Sequence, residues 1–143
     1  MTKSVLVDAD ALVALAKTND SNHKKAVDLS LKLQKAGVNY YFSPFTVAET
    51  ATVLSYKTSH QAAKKFLKQI RKLDLPTFEL PEKYKQLPDD WFLKQKRKKG
   101  TSYFDCYNLA ILDKYKKQLT AIFSFDSIYK RNGFTLAEDS KFQ

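Results

Sequence analysis

Short apolar runs recur along this chain, separated by longer segments whose apolar residues follow a helical period. Lys3–Val7, with Val5, Leu6 and Val7 contiguous, reads as a buried strand. Asn39–Phe42, Thr77–Leu80, Thr120–Phe123 and Phe134–Leu136 read as further short strands. Between them, Ala9–Thr18 reads as a helix, and a second runs from a cap at Asp20 or Ser21 to about Ala36, stopping at Gly37. Ser43 and Pro44 mark a third helix, as cap and first residue. A fourth helix starts near Ser59, and another covers about Ser102 to Lys117. Pro81 through Lys99 reads as two helical pieces broken at Pro88, and Ser127–Arg131 as a short helix. Strands alternating with helices imply an α/β fold with a central parallel sheet of four to five strands, flanked by helices on both faces. Ligands of such sheets bind beyond the carboxyl ends of the strands, where strand order reverses.

Composition narrows the class. A length of 143 residues suits one domain spanning 1–143, and 43% apolar residues can bury a core. Only 3 glycines and 4 prolines argue against collagen-like, linker-rich and turn-dense all-β chains. One cysteine makes no internal disulfide, and with 2 histidines it builds no ordinary zinc site. No apolar run is long enough to span a membrane, and Asp8 and Asp10 interrupt the amino-terminal one. The expected setting is cytoplasmic, with no signal peptide and no membrane. Lysine and arginine number 25 against 15 acids, a net charge of +10 that attracts polyanions such as nucleic acid.

Acids stand where this topology places ligands. Asp8 directly follows Val5-Leu6-Val7, and Asp126 follows Ala121-Ile122-Phe123-Ser124-Phe125. Each alone could cap the following helix. Glu49 lies in a helix with no basic residue near it, although solvated faces of this chain carry lysine. Asp105 lies among apolar and aromatic residues in the first turn of its helix, where capping is also a sufficient role. If the four converge unpaired, they repel and their pKa values rise. A divalent cation relieves that repulsion, and oxygen ligands without His or Cys select Mg²⁺, or alternatively Mn²⁺, over zinc. Mg²⁺ binds phosphate oxygens and activates water, so the implied substrate is a phosphodiester of RNA or DNA.

These segments, taken in order, resemble a known family. Val5-Leu6-Val7-Asp8-Ala9-Asp10 is similar to the opening strand and first acid of PIN-domain nucleases. Ser43-Pro44-Phe45-Thr46-Val47-Ala48-Glu49 is similar to their second acidic motif, and Phe104-Asp105-Cys106-Tyr107-Asn108 to the third. Phe123-Ser124-Phe125-Asp126-Ser127-Ile128-Tyr129 resembles the fourth, and Asn22-His23-Lys24-Lys25-Ala26 fits the second-helix pattern. The resemblance covers essentially the whole chain. It implies a PIN-like fold and a Mg²⁺-dependent endoribonuclease of the VapC type, the toxin of a toxin–antitoxin pair, usually a homodimer held inactive by a cognate antitoxin. It places Asp8, Glu49, Asp105 and Asp126 as catalytic and metal-binding acids. Ser124 stands where it can bond a water of the ion or orient Asp126, and Asp10 is either an accessory to the first acid or a helix cap. Two alternatives stay open: a PIN nuclease of RNA maturation or decay without an antitoxin, and an inactive PIN-fold RNA-binding module. The presence of all four acids argues against the last.

Other residues carry weaker readings. Lys94, Lys96, Arg97, Lys98 and Lys99 are either a solvated helix end or an RNA-binding patch that tracks phosphates. His23 reads as lining its helix rather than as a base, and Cys106 as a small buried residue. Trp91-Phe92 reads as core, with an exposed anchor for a partner as the alternative. Tyr103 and Tyr107 either stack on bases or pack on the neighbouring helix.

Overall fold

The structure is a computed structural model that describes residues 3–96 and 101–142. Its centre is β1 (Ser4–Val7), four residues all buried. β2 (Asn39–Tyr41) and β3 (Leu119–Phe123) pair with it on either side, both parallel, in the order β2-β1-β3. Val5 lies opposite Tyr40 on one side and Ala121 on the other.

The period of two along each strand divides the core between the faces. Val5 and Val7 of β1, with Ala121 and Phe123 of β3, join one apolar cluster. α1 (Ala9–Ala16), α2 (His23–Lys35), α3 (Thr46–Lys57) and α4 (His60–Leu73) cover that face. Leu6 and Ile122 point the other way, into a cluster built with α6 (Tyr103–Lys114) and α7 (Ile128–Arg131). α5 (Leu87–Lys94) packs along α6 through half-buried Leu87 and Trp91. Helices therefore lie on both faces, as the alternation predicts.

Three expectations need correction. The sheet has three strands among the described residues, not four to five. Thr77 and Leu136 each make one isolated parallel bridge, to Phe42 and Ile122. Proline explains the first. Pairing around Thr77 consists of Phe42 N to the Pro76 carbonyl and Phe78 N to the Phe42 carbonyl. Pro44 has no N–H to continue it, and Ser43 N is already bonded to Thr46 Oγ1 at 3.1 Å. At the other edge, the turn at Gly133 and the 3₁₀ turn Ala137–Asp139 leave too short a segment for a ladder.

The second correction is that α3 begins at Thr46 rather than at Pro44, because Ser43 folds the chain into a turn first. Its hydroxyl accepts from Phe45 N and lies 3.1 Å from Thr46 Oγ1. Third, Pro88 does not break a helix but sits at the start of α5, where the missing N–H costs nothing. The chain from Glu82 to Tyr84 is a short 3₁₀ turn.

From β1 the chain crosses to β2 on one side, while β3 lies on the other, so strand order reverses at the carboxyl end of β1. That crevice is where a parallel sheet takes its ligand. Among the described residues no helix is long and apolar enough to cross a membrane.

Candidate active site

Asp8 ends β1 and caps α1, its carboxylate accepting from Ala9 N at 2.8 Å. It is 4% exposed, and its other partners come from distant parts of the chain. Asn108 Nδ2 donates to Oδ1 at 3.1 Å. The hydroxyls of Tyr129 and Ser124 donate to Oδ2, at 2.7 and 3.3 Å. Two residues on, Asp10 accepts from Ser124 Oγ at 3.1 Å and from Phe125 N at 2.8 Å, both on Oδ2. Asp10 therefore ties the start of α1 to the end of β3 rather than capping a helix.

Asp105 holds a capping box. Ser102 Oγ accepts from Asp105 N at 3.2 Å, and Asp105 Oδ2 accepts from Ser102 N at 3.4 Å. Its second oxygen faces the Tyr129 hydroxyl at 3.3 Å, so one phenol spans Asp8 and Asp105. Asp126 turns the chain into α7 by accepting from Ile128 N at 3.0 Å. Its own N–H donates to Ser124 Oγ at 3.1 Å.

The electrostatics are one-sided. Burial, then the charge of Asp8, pushes Asp10 up to about 7. Burial pushes Glu49 up to about 7, with the charges of Asp8 and Asp10 adding to it. Burial does the same to Asp105, again to about 7, helped by Asp8, Asp126 and Glu49. Burial also raises Asp8, and the charge of Asp126 adds to that, against the hydrogen bonds of Tyr129, Ala9 and Ser124. Five acids thus feel one another in one crevice. The ion pairs among the described residues, Lys85–Glu82 and Lys130–Asp139, lie outside this set.

A hard divalent cation suits these donors by chemistry, since every carboxylate oxygen is a hard ligand and, among the described residues, none of these acids forms an ion pair with a lysine or arginine. Asp10 Oδ1 and Asn108 Oδ1 are buried acceptors with no hydrogen-bond donor among the described residues. Among the described residues no three His, Cys, Asp or Glu side chains already stand in a metal-binding arrangement.

The structure links Asp8 to Asp10 through the Ser124 hydroxyl and Asp8 to Asp105 through the Tyr129 hydroxyl, ties Asp126 to Ser124 through its backbone N–H, and leaves Glu49 within range of the charges of Asp8, Asp10 and Asp105. Sequence reasoning missed Tyr129 and Asn108. The signal available was spacing: Asn108 follows Asp105 by three on one helix, and Tyr129 follows Asp126 by three. His23 lines its helix, with Nδ1 2.7 Å from the Ala14 carbonyl. Cys106 is fully buried, its thiol pushed up to about 11 by that burial and by the charge of Asp105.

Trp91 is half-buried against Phe134, but Phe92 is 44% exposed, so only the first of the pair is core. Tyr107 packs on Phe45 and accepts from Leu80 N, while Tyr103 is exposed and donates to Asp89. Of the basic run, Lys94 is exposed with Nζ 4.2 Å from the Trp91 ring centre, and Lys96 is exposed. Neither pairs with the acids. Arg97, Lys98 and Lys99 lie outside the described residues.

No protein-family model matches the sequence, and no curated protein matches it. Among solved structures, the chain is similar to the crystal structure of Mycobacterium tuberculosis VapC20, a toxin that cleaves the sarcin-ricin loop. The two are 20% identical and superpose with a TM-score of 0.74, over 92% of this chain and 96% of that one. The chain has the PIN fold. In that fold the reversal of strand order at β1 is where this chain collects its acids.

The raised carboxyls imply a pH-dependent stability. Asp10 titrates near 7 in the folded protein against 3.8 ordinarily, so the native state holds a proton the unfolded chain has released. Stability therefore falls as pH rises between the two values and levels off above the higher. Asp10→Asn removes this loss, and the amide oxygen still accepts from Phe125 N. In metal-free buffer with EDTA, urea unfolding should show the variant gaining on wild type by up to about 4 kcal/mol between pH 4 and pH 8. A difference that does not change with pH would reject the burial of this charge.

Proposed function

We propose that residues 1–143 form one nuclease domain: a Mg²⁺-dependent endoribonuclease that hydrolyses RNA phosphodiester bonds as the toxin of a toxin–antitoxin pair. The observation that carries this reading is the group of carboxylates gathered at the end of β1 with no cationic partner among the described residues. Such a site is costly for a protein to keep unless a cation fills it. The basic exterior, +10 overall, supports a polyanionic substrate, and the likeness to an RNA-cleaving toxin supports RNA.

Asp8, Glu49, Asp105 and Asp126 would hold the ion. When bound, a divalent cation supplies an activated water and neutralises charge on the leaving oxygen. The chain's own residues fix the acids. Ser102 and Ala9 N–H groups hold Asp105 and Asp8 at helix starts, and Asp10 pins Phe125 so that Ser124 and Asp126 stay beside β1.

Partners follow from the same reading. Phe92, Leu93, Tyr103 and Phe104 are 44, 81, 42 and 43% exposed, an apolar surface beside the Asp105 helix that a second copy would cover in a homodimer. A cavity of about 400 Å³, lined by Leu12, Leu15, Phe66, Ile70 and Leu73 among others, would take an apolar segment of the antitoxin. Light scattering should return a dimer, and Leu93→Lys should shift it to a monomer. A wild-type monomer at high concentration removes this part of the reading.

The activity test is cleavage of structured RNA by the purified chain. Mg²⁺ or Mn²⁺ should support it, EDTA should stop it, and Asp8→Asn or Asp105→Asn should lower it about a hundredfold or more with the fold intact. Wild-type rates in either variant would remove that residue from the machinery.

The basic run is tested separately. Contacts to phosphate add affinity without sequence choice, each contributing about 0.7 to the slope of log affinity against log salt on a single strand. Replacing Lys96, Arg97 and Lys98 by alanine in an Asp8→Asn background should lower that slope by up to about 2, equally for every RNA tested. An unchanged slope makes the run a solvated helix end.

A further inference from the structure

The two oxygens of Asp8 are treated differently by their neighbours. Oδ1 receives two donors that cannot turn away, Ala9 N at 2.8 Å and Asn108 Nδ2 at 3.1 Å. Oδ2 receives two hydroxyls, Tyr129 at 2.7 Å and Ser124 at 3.3 Å. Together these fill about the four acceptor sites a carboxylate has. Each hydroxyl carries a single hydrogen, and each has a second carboxylate within reach. For Tyr129 it is Asp105 Oδ1 at 3.3 Å, and for Ser124 it is Asp10 Oδ2 at 3.1 Å.

The hydroxyl oxygens themselves are pinned. Asn108 must present its amide nitrogen to Asp8, because an ionised carboxylate only accepts. The same nitrogen then donates to the Tyr129 oxygen at 3.0 Å. Ser124 Oγ accepts from Asp126 N at 3.1 Å. With each oxygen anchored by an N–H, the freedom left to each hydroxyl is the direction of its hydrogen. Tyr129 is fully buried and Asn108 is 2% exposed, so bulk water does not compete for these bonds.

We propose that Tyr129 is a hydroxyl switch over Asp8 Oδ2, donating to Asp8 in the cation-free protein and turning to Asp105 when a divalent cation takes that oxygen, while Ser124, already nearer Asp10 (3.1 Å) than Asp8 (3.3 Å), opposes the ion less. The proposal rests on the metal-dependent reading above. Its consequence is an asymmetry. Tyr129 exchanges a 2.7 Å contact for a 3.3 Å one, so its hydroxyl favours the cation-free state. It steadies the acids before the ion arrives and holds down the affinity for the ion. Tyr129 is thereby a positioning residue that acts through Asp8 and Asp105.

The test uses the full chain and Mn²⁺ as the probe, with calorimetric titration and thermal melts with and without the ion. Tyr129→Phe keeps the ring and loses the hydrogen bond. It should melt lower than wild type without Mn²⁺, bind Mn²⁺ about three- to tenfold more tightly, and gain more in melting temperature from the ion. A hydroxyl that merely packs or orients would lower the melting temperature with equal or weaker Mn²⁺ binding, and that result overturns the switch while leaving the metal site standing. A wild-type protein that binds no Mn²⁺ overturns the metal-dependent reading and the switch with it. Should the phenylalanine variant fail to fold, Ser124→Ala carries the test with the opposite sign, since its hydroxyl lies nearer Asp10 (3.1 Å) than Asp8 (3.3 Å): equal or weaker Mn²⁺ binding supports the contact-length argument, and tighter binding overturns it.

Discussion

Like charge confined in one crevice is the constraint around which this structure is organised. Asp8, Asp10, Glu49 and Asp105 are pushed upward by burial and by one another, and among the described residues none of them forms an ion pair with a lysine or arginine. The relief comes from neutral donors: backbone N–H groups, the Asn108 amide and the hydroxyls of Ser124 and Tyr129. Neutral donors lower the energy of a buried carboxylate without cancelling its charge. The site therefore stays attractive to a cation, which a lysine in the same place would have prevented.

The fold makes that concentration of charge possible by spending its hydrophobic contacts elsewhere. β1 is buried on both faces, with Val5 and Val7 in one cluster and Leu6 in the other. A strand held from both sides and hydrogen-bonded on both edges is a rigid base for Asp8 at its end. Asp8 N donates to the Phe123 carbonyl, so the first acid is locked to β3 by backbone before any side chain is considered. The Asp10 bond to Phe125 N repeats the lock two residues further along.

Which parts were legible in the sequence follows from range. Asp8 and Asp126 could be read because strand ends are local features, and a parallel sheet places its ligands there. The alternation of elements and the double-faced layering were legible for the same reason. Tyr129 and Asn108 were not. A tyrosine within Asp126-Ser127-Ile128-Tyr129 looks like core, and an asparagine on an apolar helix looks incidental. Their roles exist only once β1, α6 and α7 are brought together, across separations of about a hundred residues. One shortened edge of the sheet was partly legible, since Pro76 and Pro81 bracket Thr77–Leu80 and Pro44 follows the strand it would pair with. The mistaken start of α3 came from treating Ser43-Pro44 as a cap when Ser43 was needed to turn the chain.

The acids also show why capping and function were poor alternatives to weigh against each other. Asp8 caps α1, Asp105 closes the capping box of α6, and Asp126 turns the chain into α7. All three therefore have orientations set by the start of a helix, with one oxygen held by backbone N–H and the rest of the carboxylate left to face the crevice. A helix start also carries partial positive charge, which favours an anion there. Capping is thus the means by which the charges are aimed. It also separates the two roles physically: asparagine caps helices about as well as aspartate, so an amide can preserve the local fold while removing the charge on which cation binding would depend.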